Sequence, residues 1–507
     1  MSTSRFDPLT PVEAELRRRA IWRWGVLGLI LALVVALALA LWHRYTGDRP
    51  VEYGNIEDHF KYGSIGSDVE NGLPQHILTV LPRMFPEYLP ENAPPDLTAF
   101  GFIQEPGRPM PIGFSQRRRS IDLVGLNCAL CHVGQVRAAP DAEPVTILGM
   151  PSNTVDLFAF FRFLVACAAD SRFTADHIIA EVKKDRGLGF IDEWIYRIAV
   201  PRFRAGLLVV GTQMDAFMFP DGPAFGPGRT ETFNFYKVNQ FSEYYPPGSI
   251  ADAERIGTVD FPSIWNQRLR EGMNLHWDGN NDSVRERNFS AAFGAGATRE
   301  NVDSASFDRV TAWLQELPAP AYPFEISSDP AILARGEAVY RERCYECHAF
   351  GGSQVGQVDP IEEIGTDPHR LNNYTEKLAE IQHLYGDGYD WDFTHFHKTN
   401  GYANHPLDGI WARAPYLHNG SVPTLWDLLT PEDARNGGRD FFYRGHGVFD
   451  ANDVGIRTDV EEIDGRKMFR FVISEPGNGN QGHSGPRYGT DLSDADKRAV
   501  IEYMKTL

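Results

Sequence analysis

Asn127-Cys128-Ala129-Leu130-Cys131-His132 and Arg343-Cys344-Tyr345-Glu346-Cys347-His348 carry one pattern, Cys-x-x-Cys-His. Two cysteines three apart can each form a thioether to one vinyl group of a porphyrin. The histidine that follows is then held under the ring and offers a nitrogen to iron. A lone copy could be half of a zinc site. A four-cysteine zinc site, however, needs no histidine directly after each pair, and a thioredoxin-like pair needs a βαβ setting. The two copies use four of the five cysteines. They predict two covalently bound haems c, on Cys128 and Cys131 and on Cys344 and Cys347, with His132 and His348 facing iron. The fifth cysteine, Cys167, lies in the apolar run 160–169 and reads as a buried free thiol, since no cysteine is left to pair with it.

Upstream of both motifs, residues 25–42 are wholly apolar and are flanked by Trp22, Trp24 and Trp42. About 18 such residues approach the thickness of a bilayer, and tryptophans favour its interfaces. Arg17, Arg18 and Arg19 precede the run and predict a cytoplasmic tail over 1–20, a transmembrane anchor over 21–42 and everything later outside. Ala38-Leu39-Ala40 leaves a cleaved signal peptide as the alternative. Either way the bulk is exported, which is where haem is attached to apo-cytochromes c. The expected location is the periplasmic side of a bacterial inner membrane, reached by a single pass.

A chain of 507 residues is too long for one core, and two haem domains over 43–325 and 326–507 are expected. A net charge of −19 argues against nucleic acid or an anionic membrane surface as partner. Prolines at 82, 86, 90, 94 and 95 break the stretch before the first motif, leaving short helices such as 75–84. After His132 a helix is expected over 153–169, capped by Ser152 or Asn153. Residues 170–275 are the least periodic, and 218–236, dense in Gly, Pro and Phe, reads as a long ordered loop. Within it Arg229 could neutralise a haem propionate or be a plain surface arginine.

A Pro-rich linker, 317–323, precedes the second half. Ser328 and Pro330 open a helix running into Cys344. Residues 492–507 form a second helix with Ser493 and Asp496 at its start and Val500, Ile501 and Met504 on its apolar face. Gly336 would let the two cross closely. The fold class expected is mainly α: two cytochrome c-like haem domains with long loop insertions, behind one transmembrane helix.

The two Cys-x-x-Cys-His domains, His276-Trp277-Asp278-Gly279-Asn280-Asn281 between them, and Ala414-Pro415-Tyr416-Leu417-His418-Asn419-Gly420-Ser421 in the second resemble the di-haem cytochrome c peroxidase superfamily. Phe60-Lys61-Tyr62-Gly63-Ser64-Ile65-Gly66 brings the rubber (latex) oxygenase branch nearest. This resemblance implies that the C-terminal haem is six-coordinate and passes electrons while the N-terminal haem meets oxygen or peroxide. His483, six residues before Gly489-Thr490, stands where the peroxidases place a methionine, so His348 and His483 are the expected axial pair. His418 and His446 are the rivals. Arg413, beside the His418 motif, joins Arg229 as a candidate for haem contacts. Trp277 would relay electrons between the haems, and His276 beside it could donate a distal hydrogen bond or lie one layer back. Phe293, with Phe289, falls where the oxygenases put an aromatic near the distal face. Met150 is the one side chain between 133 and 152 that commonly ligates haem iron, with core packing as its other reading. The peroxidase glutamate is matched here by Ala297, its glutamine by Arg287 and its arginine by Asn280. The same resemblance implies a calcium ion and a redox partner such as a small soluble cytochrome.

Three functions fit this reading. One is an O2-using oxidoreductase, with Trp277, Phe293 and His276 at its reactive haem. The second is a hydrogen peroxide reductase, against which the missing glutamate counts. The third is a membrane-anchored electron carrier, which has no use for the insertion over 170–275.

Overall fold

The computed structural model describes residues 10–217 and 223–507. Its first helix, α1 (Pro11–Thr46), opens on a reciprocal cap: the Thr10 hydroxyl accepts from the Glu13 N–H while the Glu13 carboxylate accepts from the Thr10 N–H. Pro11 at the first helical position forfeits no internal bond. The helix has 36 residues, a mean hydropathy of 2.7 over its most apolar window and no buried side chain. At 1.5 Å per residue it extends about 54 Å, more than a hydrocarbon layer of about 30 Å requires. It is long and apolar enough to be a membrane anchor or a signal sequence. The stretch expected as a cytoplasmic tail lies partly outside the described residues, and from Pro11 onward it is the start of this helix.

Four short strands form the antiparallel sheet that delivers the first Cys-x-x-Cys-His. They are β1 (Arg49–Pro50), β2 (Leu73–Pro74), β3 (Phe114–Arg118) and β4 (Leu123–Leu126), in the order β1-β3-β4-β2. Phe114 pairs with Leu126, so the chain leaves β4 straight into Asn127. Helix α2 (Ile56–Tyr62) packs beside the motif, and α3 (Gln75–Met84) occupies the expected span, with Pro82 in its last turn forfeiting the N–H that would bond the Leu78 carbonyl. Strands β5 (Val133–Val136) and β6 (Val145–Leu148) form a hairpin directly after His132.

The region beyond differs from the sequence expectation. Helix α4 (Leu157–Ala169) starts at Asp156, whose carboxylate accepts the Ala159 N–H, rather than at Ser152 or Asn153. The supposedly aperiodic stretch holds α5 (Ala175–Asp185), the 26-residue α6 (Phe190–Asp215) and α7 (Thr232–Asn239). Apolar residues on both sides of α6, with Pro201 in its middle, hide its period. The loop expected over 218–236 is described only from Pro223, and its last residues are the first turn of α7. Around α4 an aromatic core forms, with Phe102 set edge-on to Phe160 at 5.0 Å and Phe100 against Phe163 at 5.1 Å. Cys167 is fully buried there as a free thiol.

Helices α8 (Val284–Gly294) and α9 (Ser304–Glu316) follow, and α10 (Pro330–Arg343) leads into the second motif. Its cap is Asp329, whose carboxylate accepts the Ala331 N–H, and not Ser328. The C-terminal helix, Asp494–Met504, is capped by Ser493, which accepts from the Asp496 N–H. The two helices cross at Gly336, where an added Cβ would stand 2.0 Å from the Ala499 carbonyl oxygen. That contact is with backbone and cannot be relieved by rotating a side chain. Gly336→Ala should therefore cost at least the 1–3 kcal/mol typical of overpacking, roughly. A lowered midpoint in chemical denaturation, larger for Gly336→Val, is the expected outcome.

Candidate haem sites and the corridor between them

Asn127 shapes the first site. Its side chain accepts from the Ala129 N–H and donates to the Gly63 carbonyl at 2.9 Å, tying the motif to the end of α2. Cys128 and Cys131 are unpaired and half-buried, and burial raises their thiols to about 11 and about 12. His132 Nδ1 donates to the Pro262 carbonyl at 2.8 Å, which fixes the tautomer and leaves Nε2 as the free lone pair. Burial drives this imidazole down to about 4, so it is neutral.

The second site repeats the arrangement. Cys344 and Cys347 are unpaired, and His348 Nδ1 donates to the His405 carbonyl at 2.8 Å. Facing it is His483, with the two ring centroids 6.3 Å apart and the planes at 45°. Two imidazole–metal bonds of about 2 Å each, with the ring radii added, span about this gap. The His483 Nδ1 is buried without a hydrogen-bond partner, and burial followed by the nearby His348 takes the ring down to about 3. The rivals are engaged elsewhere. His418 stacks on Tyr402 at 4.2 Å and shares a hydrogen bond with its hydroxyl. His446 donates to the Tyr443 carbonyl and accepts from the Val448 N–H, which occupies both ring nitrogens.

Between His132 and His348 runs a short corridor. Two residues before Pro262, the Asp260 carbonyl accepts from the Trp277 indole at 2.9 Å. The Trp277 ring meets the His405 ring edge-on at 5.8 Å, and His405 Nε2 donates to the His276 carbonyl. The His405 carbonyl in turn holds His348. Trp277 and His276 belong to a motif visible in the sequence, whereas His405 and Asp260 belong to none. His276 has a positive φ of 61° and its Nδ1 lies 2.5 Å from Asn280 Oδ1, so its ring is engaged with the turn it belongs to.

Asp260 also carries the charge balance. It sits on β8 (Val259–Asp260), paired with β7 (Arg229–Thr230). Its carboxylate accepts from Arg444 at 3.0 and 3.2 Å, with Arg229 Nε 3.7 Å away. Burial raises the Asp260 carboxyl, an effect the two guanidiniums oppose, and lowers Arg229 to about 9. Arg413 pairs with Asp408, which also binds Arg270 at 2.5 Å. Buried guanidinium N–H groups remain unpartnered on Arg229, Arg370, Arg413 and Arg444. These donors suit the carboxylates of a haem better than an apolar filling. Free thiols, free Nε2 atoms, the facing imidazoles and these orphan donors together fit haem c at both motifs.

Phe289 and Phe293 lie in an aromatic cluster with Trp391 and Phe393, against which Cys128 packs. Ala297 is fully buried in the same cluster. Arg287 is the buried cation near His132 and Cys128. Its guanidinium reaches Asn288, and burial lowers it to about 10. The neighbouring carboxylate, Glu286, accepts from Asn281, Thr394 and His395. Met150 packs with Val136 and Trp265. No group of three or more His, Cys, Asp or Glu that could hold a metal ion occurs among the described residues.

Comparison with known proteins places a cytochrome c in the second half. A family described as RoxA-like, cytochrome c-like matches residues 401–437, the stretch holding His405, Arg413 and His418. Such a domain implies covalently bound haem c. The uncharacterized protein y4iM of Sinorhizobium fredii is 30% identical over 296 residues, covering 49% of this chain and 64% of that protein. The uncharacterized protein y4iJ of the same organism is 25% identical over 524 residues, covering 81% and 84%. The chain thus spans a little under two thirds of the first relative's length.

Asp260→Asn keeps the shape and removes the charge, leaving Arg444 and Arg229 buried and uncompensated. Breaking such a pair costs about 3–5 kcal/mol. Thermal unfolding should begin well below the wild type, and Asp260→Glu should restore part of the loss.

Proposed function

We propose that this protein is a membrane-anchored, periplasmic oxidoreductase with two covalent haems c, in which the second site supplies electrons and the first takes O2. The observation that carries the reading is the corridor from His132 through Pro262, Asp260, Trp277 and His405 to His348. Haem at the two motifs supplies one-electron chemistry and, where a coordination position stays open, a place for a diatomic oxidant.

The chain's own residues divide the work. His348 and His483 close the second site from both sides, which suits electron passage and excludes ligands. Trp277 and His405 fill the space between the sites with polarisable rings, while the Pro262 and His405 carbonyls orient the His132 and His348 imidazoles. Arg229, Arg370, Arg413 and Arg444 would hold haem carboxylates. At the first site Phe289 and Phe293 exclude water, and Arg287 is the positive group available to a polar oxidant. With Ala297 in an apolar cluster and Glu286 fully engaged, neither position offers a carboxylate free to move a peroxide proton. The electron partner would be a small soluble cytochrome, and the oxidised substrate an apolar molecule.

Two haems should remain on the chain after boiling in detergent, and one after Cys128 and Cys131 are both changed to Ala. In the same preparations His483→Ala should turn one low-spin signal high-spin, whereas His418→Ala should not. A low-spin signal that survives His483→Ala and is lost in His418→Ala would move the ligand to His418.

Peroxide turnover should be slow, because proton transfer by a placed acid–base group is commonly worth roughly 100- to 10,000-fold. CO added to the reduced protein should change one haem signal only, and Phe293→Ala should alter that change. Fast peroxide reduction with a cytochrome donor would replace the oxygenase reading by a peroxidase one. Indifference to O2, CO and peroxide would leave electron carriage.

A further inference from the structure

Helix α6 presents two contrasting sides. Tyr196, Val200, Leu207 and Met214 are buried against the body, in contact with α4 and α5. The other side is also apolar: Phe190 is 87% exposed, Trp194 59%, Val209 57% and Leu208 41%, with Ile191 beside them. These outward residues recur along the helix with Pro201 and Ala205 between them, and the charged side chains among them are Arg202 and Arg197, the latter paired at 2.6 Å with the exposed Asp176. A free aromatic pair at a helix start is costly to leave in water, and exposed patches of this kind mark contact surfaces.

The place of this face says what covers it. Tyr45, in the last turn of α1, donates its hydroxyl to Asp192 in the first turn of α6 at 3.1 Å. Arg44 beside it donates to the Arg119 carbonyl at 2.9 Å, tying the same end of α1 to the sheet. The start of α6 is therefore fixed at the point where α1 meets the body. If α1 spans the membrane, as the proposed function holds, that point is the lipid–water interface. Phe190, Ile191 and Trp194 then stand at the depth where tryptophan and phenylalanine are most stable, and arginines on the same side can reach lipid phosphates.

We propose that the outward face of α6 is a second membrane contact, seated in the headgroup region of a phospholipid bilayer, that holds the haem-bearing body against the membrane rather than leaving it on a free tether. The inference rests on α1 being the anchor. The net charge of −19 is no obstacle, since the face itself carries arginines and its burial is driven by apolar area.

Photo-crosslinking tests it in the full-length, haem-loaded protein in nanodiscs of phosphatidylethanolamine and phosphatidylglycerol. p-Benzoylphenylalanine is placed singly at Phe190, Trp194, Leu31 in α1, and Phe350, an exposed residue of the second half. Peptides carrying residue 190 or 194 should gain the mass of one phospholipid on irradiation, as should the Leu31 peptide, while the Phe350 peptide should not. Lipid adducts at Leu31 with none at Phe190 or Trp194 would overturn the contact and leave the anchor standing. Adducts at Phe190 or Trp194 to a second copy of the chain would make the face a dimer surface instead. No lipid adduct at Leu31 would remove the anchor reading and the inference with it.

Discussion

The carboxylate of Asp260 is the interaction on which the two halves depend. It comes from the first half and is gripped by Arg444 from the second, with Arg229 alongside. Asp408 does the reverse, rising from the second half to hold Arg270 of the first together with its neighbour Arg413. Each carboxylate thus faces two guanidiniums, and each half contributes to both clusters. Buried ion pairs of this sort add little net stability over an apolar filling, but they tolerate no slippage, because every misplacement strands a charge. Register between the halves is the property they provide. The backbone of the same Asp260 then places Trp277 and, two residues on, the acceptor for His132, so the charge cluster and the corridor share one strand.

The surroundings of the two sites differ in kind. Around the first, Phe289, Phe293, Trp391 and Phe393 build walls with few polar atoms. Around the corridor, arginines and aspartates crowd into buried space. An apolar aromatic wall on one side and a strongly polar partition on the other set the two surroundings apart. This also gives the long insertion a purpose: α7 brings Phe233 and Tyr236 into the aromatic wall, and Arg229 just before it joins the polar partition.

Much of this was legible in the residues. The paired motifs follow from spacing and the N-terminal run from its unbroken apolar length, while α3 and the C-terminal helix follow from breakers and an apolar face. Gly336 was readable as a crossing point for the same reason. The helices over 170–217 were not, since α6 is apolar on its exposed side too and an all-round pattern has no period. The caps Asp156 and Asp329 were missed in favour of nearby serine or asparagine, a choice that propensity alone cannot make. Within the candidate sites, cysteines and proximal histidines announce themselves by adjacency. Asp260, Arg370, His405 and Arg444 carry no such signal: they are scattered single residues, and only the tertiary fold makes them neighbours.

The His132 and His348 imidazoles both give their Nδ1 proton to a backbone carbonyl, of Pro262 and of His405, rather than to a carboxylate. A carbonyl draws on that proton weakly, so each ring stays an ordinary neutral imidazole with little of the electron-rich character that a carboxylate partner confers. An iron held by such a ring would gain less electron density from it than from a carboxylate-bound imidazole. In electronic terms the backbone would bias a haem at either motif toward easy reduction, with atoms that no side-chain substitution removes.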